Sequence, residues 1–255
     1  MDVATLADRY DAKLDTAAYA DVDASANGLQ VGRRDASVDH VAVAVDAATT
    51  TIERAVEVGA DVLVVHHGLA WDGIDRVTAR TYDRLAPLFD HDIALYAAHL
   101  PLDGHQTLGN AAAIADHLDL VDRGPFGTVG DQPIGLRGRV PDGVAPDALA
   151  GHLEAQLPTG PASVRALSFG VERIQSVAIV TGSGADFFDA AVDADVDAFL
   201  TGEGKAHLYH DARDAGMNVI LAGHYATETG GVRNLKTLAE DWGLATTYID
   251  HPTGL

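Results

Sequence analysis

VDHVAVAVD at residues 38–46, DVLVVHH at 61–67 and HDIALYAAH at 91–99 are short apolar runs, separated by helical stretches at 48–60 (ATTTIERAVEVGA) and 80–90 (RTYDRLAPLFD). Apolar strands alternating with amphipathic helices are the pattern of a parallel sheet buried under helices on both faces. A further helix is expected in TLGNAAAIADHL, 107–118. The same order returns from about residue 175: SVAIVTGSG, ADFFDAAVDA, DVDAFLTGE, KAHLYHDARDAG and MNVILAGH, with a last helix around VRNLKTLAEDWG at 232–243. The fold class is therefore α/β, built as two βαβαβ lobes, each a mainly parallel sheet flanked by helices.

Set side by side, the lobes show a weak internal repeat. VAVAVD answers VAIVTG, DVLVVHH answers DAFLTGE, and ALYAAHLPLD answers VILAGHYATE. The third strand of each lobe ends in Ala-[Ala/Gly]-His-x-x-x-[Asp/Glu], giving His99 with Asp103 and His224 with Glu228. Residues 125–174, rich in Gly and Pro, carry the strand-like PIGLRGRV, the helix-like DALAGHLEAQL and another strand near SVRALSFG, and read as an excursion attached to the second lobe. The expected division is a first lobe at 1–124 and a second at 125–255, the C-terminal helix and strand packing back on the first.

Composition narrows the chemistry. The 255 residues contain no cysteine, so a metal would be held by nitrogen and oxygen alone. The formal net charge of −21 opposes general affinity for nucleic acid or anionic membranes. That charge is carried mainly by Asp, and Arg outnumbers Lys, a bias resembling salt-loving organisms' proteins, in which molar salt screens charge over about 3 Å. No apolar run of about 18 residues and no signal-like N-terminus appear, which predicts a cytoplasmic protein. There is no GxxxxGK[ST] phosphate loop, GSGADF and TGEGKAH being only glycine-containing turns, and no GxSxG nucleophile elbow.

Candidate ligands gather where the strands end. His66 and His67 close an apolar strand at its C-terminal edge, where open α/β sheets bind ligands. Neighbouring residues on a strand point to opposite sides, so the pair suits two adjacent ions better than one. Otherwise one would cap the following turn and the other pack under Trp71. Pro101 enforces a turn in HLPLD, from which Asp103 and His99 can serve as ligand and supporting partner in either order; Asp103 as a helix N-cap is less suited than Thr107. His224 and Glu228, four residues apart, share one face if a helix starts there, as chelators or as a surface hydrogen-bonded pair. Glu203 in TGEGK reads as a supporting base, a substrate contact or merely a turn residue. Three imidazoles and two carboxylates cannot close two coordination shells, which leaves positions for water and a catalytic reading. Mixed N/O ligation favours Fe, Mn, Zn or Co over calcium.

Together SANGLQVG (25–32), VVHHGLAW (64–71), AAHLPLDGHQTLGN (97–110), VTGSG (180–184), TGE (201–203) and AGHYATETGGVRNL (222–235) resemble the NGG-interacting factor three homologue (NIF-three-like) family, described as GTP cyclohydrolase 1 type 2 homologues. The motifs span nearly the whole chain in family order. The resemblance implies a dinuclear site between two lobes, with His67 and Asp103 on one ion, His66 and His224 on the other and Glu228 bridging. It also implies a ring-shaped homohexamer. Longer relatives carry an inserted domain between the lobes, for which residues 125–174 leave no room. The family name implies hydrolytic opening of the guanine ring of GTP, with Glu228, His99 and Glu203 the residues placed for catalysis. A small anionic substrate would be met by the ions, assisted by Arg233 from the GGVRNL turn. A non-enzymatic protein for metal storage or delivery would need the same ligands without a substrate pocket.

Overall fold

Strand-forming runs in this chain are dense in Val, Ile and Leu, and every one of the central runs becomes a strand with both faces covered. A computed structural model describes all 255 residues, Met1–Leu255. Its elements begin α1 (Val3–Leu14), β1 (Gly28–Val31), β2 (His40–Asp46), α2 (Thr49–Glu57), β3 (Val62–His67), α3 (Arg80–Asp90), β4 (Ala94–Ala97) and α4 (Leu100–Gly104). There follow α5 (Asn110–His117), β5 (Val121–Val129), β6 (Gln132–Val144), α6 (Pro146–Gln156), β7 (Arg165–Leu167), β8 (Ile174–Val180), α7 (Phe188–Asp193) and β9 (Ala198–Thr201). The last are α8 (Leu208–Ala215), β10 (Asn218–Leu221), α9 (His224–Asp241) and β11 (Ala245–Tyr248). No helix is long and apolar enough to cross a membrane.

The chain divides into two units, Met1–Leu102 with Gly231–His251, and Asp103–Gly230 with Pro252–Leu255. The first contains a five-stranded sheet of order β1-β4-β3-β2-β11, parallel except for β1. Strand alternation sorts its side chains: Ala42, Ala44, Leu63, Val65, Leu95 and Ala97 share a core with Ile52 of α2 and Leu85 and Leu88 of α3. On the other parity, Tyr96 packs against Tyr10 of α1, ring centroids 5.2 Å apart, and Tyr10 stacks on Trp242 just beyond α9. The buried Tyr10 hydroxyl donates to the Leu235 carbonyl at 2.9 Å, so its burial leaves no polar atom stranded.

The second unit has a six-stranded sheet, β5-β6-β8-β9-β10-β7, in which β8, β9 and β10 are parallel and β5, β6 and β7 antiparallel to their neighbours. Both sheets thus contain three successive parallel strands joined through helices, with an antiparallel strand (β1 or β7) beside the third. They differ at the opposite edge, where β11 runs parallel to β2 but β6 antiparallel to β8.

Two expectations are corrected. The division falls at Leu102 and Asp103 and not near residue 124, because Ala111, Ala112, Ile114 and Ala115 of α5 join the core of Leu136, Val177, Ile179 and Leu200 in the second unit. The GGVRNL segment is not a turn but the middle of α9, which begins eight residues earlier than the helix expected at 232. Glycine is tolerated there for close packing: a Cβ on Gly230 would overlap Ala113.

Candidate metal centre

The donors of the first unit lie at the C-terminal ends of β2, β3 and β4. The parallel register sets Asp46 beside His67, and the two side chains meet there, His67 Nδ1 donating to Asp46 Oδ1 at 2.9 Å. His66 is fully buried, and its Nδ1 lies 2.8 Å from the Ala98 carbonyl. His99, just past β4, has Nδ1 at 2.8 Å from Asp23 Oδ1, and its backbone N–H donates to Asn27 Oδ1 at 2.7 Å. Burial pushes the Asp23 carboxyl up, but the hydrogen bond and charge of His99, with those from Asn27 and Ser25, more than offset this and hold it below the usual range.

A carbonyl or carboxylate can only accept, so each of these Nδ1 atoms carries a proton, which leaves Nε2 as the nitrogen through which each ring could coordinate. The ring centroids of His66 and His67 are 4.5 Å apart, and one donor atom from each of His66, His67 and His99 lies within 4.8 Å of the others. Strand alternation therefore does not separate the pair, because His67 is the last strand residue and Asp46 draws its ring round. Trp71 packs edge-on against His99, centroids 4.9 Å apart and planes at 73°, so it walls the cluster more than it covers His67.

The second unit presents Asp103, His224 and Glu228. Asp103 lies in the short α4, where Pro101 in the first turn needs no N–H and leaves the helix intact. It is not the N-cap of α5, which is Gly109 and not Thr107; Asp103 Oδ1 accepts from Asn110 Nδ2 at 2.8 Å and Thr181 Oγ1 at 3.1 Å. His224 and Glu228 occupy the first two turns of α9, with Nε2 and Oε1 3.2 Å apart. His224 Nδ1 lies 3.0 Å from Glu203 Oε1, so Glu203 orients the ring. Burial pushes the His224 pKa down, but Glu228 and then Glu203 reverse this and carry it up to about 9. A proton thus sits where this ring would hold a cation.

Glu228 is almost fully buried, and a carboxylate oxygen of Asp103 lies within 4.8 Å of one of Glu228. Two buried acids this close favour a cation between them. The turn after β8 makes the space: Gly182 has φ +58°, donates its N–H to Thr227 Oγ1 at 3.0 Å, and has no room for a Cβ beside Glu228 Oε1. Arg233 belongs to the first unit, where its guanidinium lies over the Tyr248 ring, 3.9 Å from the centroid.

The partners Asp23, Asp46, Asn110 and Thr181 were not singled out from sequence. Only Asp46, closing VAVAVD, carried any signal, as a charge at the edge of a buried strand. Each unit's donors, three imidazoles oriented through Nδ1 in the first and one imidazole with two buried carboxylates in the second, are of the nitrogen and oxygen types that bind divalent metals.

Comparison with known proteins agrees over the full length. The model of the Duf34/NIF3 (NGG1p interacting factor 3) family matches residues 1–253. A Halobacterium salinarum protein named GTP cyclohydrolase 1 type 2 homolog is 57% identical over 255 residues, all of both chains. An Escherichia coli protein of the same name is 38% identical over 242 residues, 94% of each. Among solved structures, TTHA1606 from Thermus thermophilus superposes with a TM-score of 0.89 at 37% identity, covering all of both chains. Another, described as "protein ybgI, unknown function", gives a TM-score of 0.90 at 35% identity, again over both whole chains. The chain belongs to the Duf34/NIF3 family.

Proposed function

We propose that this protein is a metal-dependent hydrolase using two divalent ions, among Fe, Mn, Zn and Co, and acting on a small anionic substrate such as GTP or a related nucleotide or phosphoester. The observation that carries the reading is the shared orientation of four imidazoles, each with Nδ1 tied to an oxygen, which assigns Nε2 of His66, His67 and His224 to metal and Nε2 of His99 to a proton. In this reading His66, His67, Asp103, His224 and Glu228 hold the ions, with Glu228 bridging. The ions, when bound, supply Lewis acidity that activates water and offsets substrate charge. His99 accepts a proton at Nε2, its imidazolium stabilised by Asp23, and Glu203 keeps the His224 ring in register. Names carried by the relatives support the guanine-ring substrate.

The test is a time course of metal-loaded protein against GTP, other nucleotides and simple phosphoesters, wild type beside His67→Ala at matched metal. Formate release identifies ring opening; phosphate release identifies phosphoester hydrolysis. Turnover no higher than in the variant, with ready metal transfer to an acceptor protein, would replace the hydrolase by a metal-delivery role.

A further inference from the structure

We infer that the second unit carries a small oxyanion-binding subsite, formed by Arg165 and Lys205 at the C-terminal edge of β10, which takes a phosphate group of the substrate. Its place as a substrate contact rests on the hydrolase reading above; its binding chemistry does not. A cavity of about 240 Å³ lies there, lined by Arg165, Lys205, Leu208, Tyr209 and Leu221 among others. The antiparallel register sets Arg165, the first residue of β7, opposite Leu221, the last of β10. The turn after β9 supplies Lys205, and the same turn two residues earlier supplies Glu203 to His224. The one connection between β9 and α8 thus touches both the His224 ring and the cavity, both on the edge where α/β sheets receive ligands.

The charge of this cavity runs against that of the molecule. The chain has 17 Lys and Arg against 38 Asp and Glu, yet two cations line this one small space. The Arg165 side chain makes no hydrogen bond or ion pair, so its fork of donors is available to an oxyanion, for which a planar guanidinium is well matched. Lys205 is held by Asp186, Nζ lying 2.5 Å from each carboxylate oxygen, so an incoming anion must compete with Asp186. Leu208, Leu221 and the Tyr209 ring, itself packed edge-on against Phe169 at 5.1 Å, supply its apolar lining, while Arg165 and Lys205 are exposed and open to an incoming anion. The volume lies below the roughly 300–1,000 Å³ of sites that enclose a whole drug-sized ligand. It suits a phosphate with its ester carbon, leaving the rest of the substrate to extend past Glu203.

Orthophosphate titrated into the full-length, metal-free protein and followed by ³¹P NMR tests this without involving the ions. Saturable binding is expected, weakened about tenfold or more by Arg165→Gln and by Lys205→Gln, as for loss of one charge-assisted hydrogen bond. Asp186→Asn should tighten binding severalfold, an effect that a purely structural Lys205–Asp186 pair would not produce. Absence of saturable binding overturns the proposal, as does binding that survives in both the Arg165 and Lys205 variants. So does binding that requires added metal and disappears with Glu228→Gln, which would make the metal donors the anion site. If the subsite behaves as expected but metal-loaded protein turns over no nucleotide or phosphoester, the subsite stands and the hydrolase reading falls.

Discussion

Gly182→Ala isolates the geometry of the second donor set, because position 182 offers an alanine neither a comfortable backbone nor space. At φ +58° an L-residue pays about 1–2 kcal/mol for the left-handed conformation. The added Cβ would overlap Glu228 Oε1 and stand 3.1 Å from His224 Nε2, and the nearly buried Glu228 carboxylate has no solvent to retreat into. Overpacking of that kind costs about 1–3 kcal/mol. The sum is about 2–5 kcal/mol, within the roughly 5–15 kcal/mol by which domains are stable, so the variant should fold. At about 2–4 °C per kcal/mol for a chain of this size, Tm of the metal-free protein should fall by roughly 4–20 °C. The larger effect should be on metal: with Glu228 pushed off His224, occupancy measured by elemental analysis should drop well below that of the wild type, while Ser183→Ala, one residue on, keeps both stability and metal. Wild-type Tm and full metal content in Gly182→Ala would refute the steric reasoning.

Three further outcomes are expected. In metal-free protein, His224 has a folded pKa of about 9 against about 6.5 unfolded, so its contribution is fully present below pH 6.5 and is lost as pH rises through 9; unfolding free energies from denaturant titrations between pH 6 and 10 should decline on the order of 2–3 kcal/mol, less in Glu203→Gln, and parallel profiles for the two proteins would refute this. Glu228→Gln, which keeps size but removes charge, should lose metal at both positions while circular dichroism stays native; full occupancy would show that Glu228 does not bridge. Asp46→Asn should weaken metal binding about 10–100-fold by loosening the His67 ring, measured by chelator competition, and an unchanged affinity would mean that the 2.9 Å contact does not orient the ligand.

The strands were legible because parallel strands buried on both faces must be apolar throughout, and VAVAV, VLVV and VAIV have few other ways to be satisfied. His66, His67 and His224 drew notice as candidates for the opposite reason, as polar groups at or just past the points where such runs stop, with Asp103 and Glu228 a turn or so further along the helices that follow. What surrounds them was not. Asp23 reaches His99 across 76 residues and Thr181 reaches Asp103 across 78, contacts set by tertiary packing and not by local spacing. A helix start at His224 was open in the sequence, but its continuity with the helix around 232–243 was not, because Gly230 and Gly231 intervene; packing on Ala113 is what requires the first of them. The turn expected around Arg233 was misread from the same cause, since a continuous helix carries that residue over the Tyr248 ring. The boundary went astray because α5 resembles a closing helix of the first repeat, and only its alanine face shows that it belongs to the second core.

The pairing of β11 with β2 has a consequence for how the chain is made. Ala245 to Tyr248 fill the place beside His40 to Val43, about two hundred residues after that place is created. At a ribosomal rate of about 5–20 residues per second, the open side of β2 waits for roughly 10–40 s. The second unit, nearly all of it in the continuous stretch 103–230, has its sheet complete in the chain before then. Synthesis order and folding order are therefore inverted, with the N-terminal half the last to close. An exposed β2 edge, rich in valine, is the segment of the nascent chain most in need of protection during that interval.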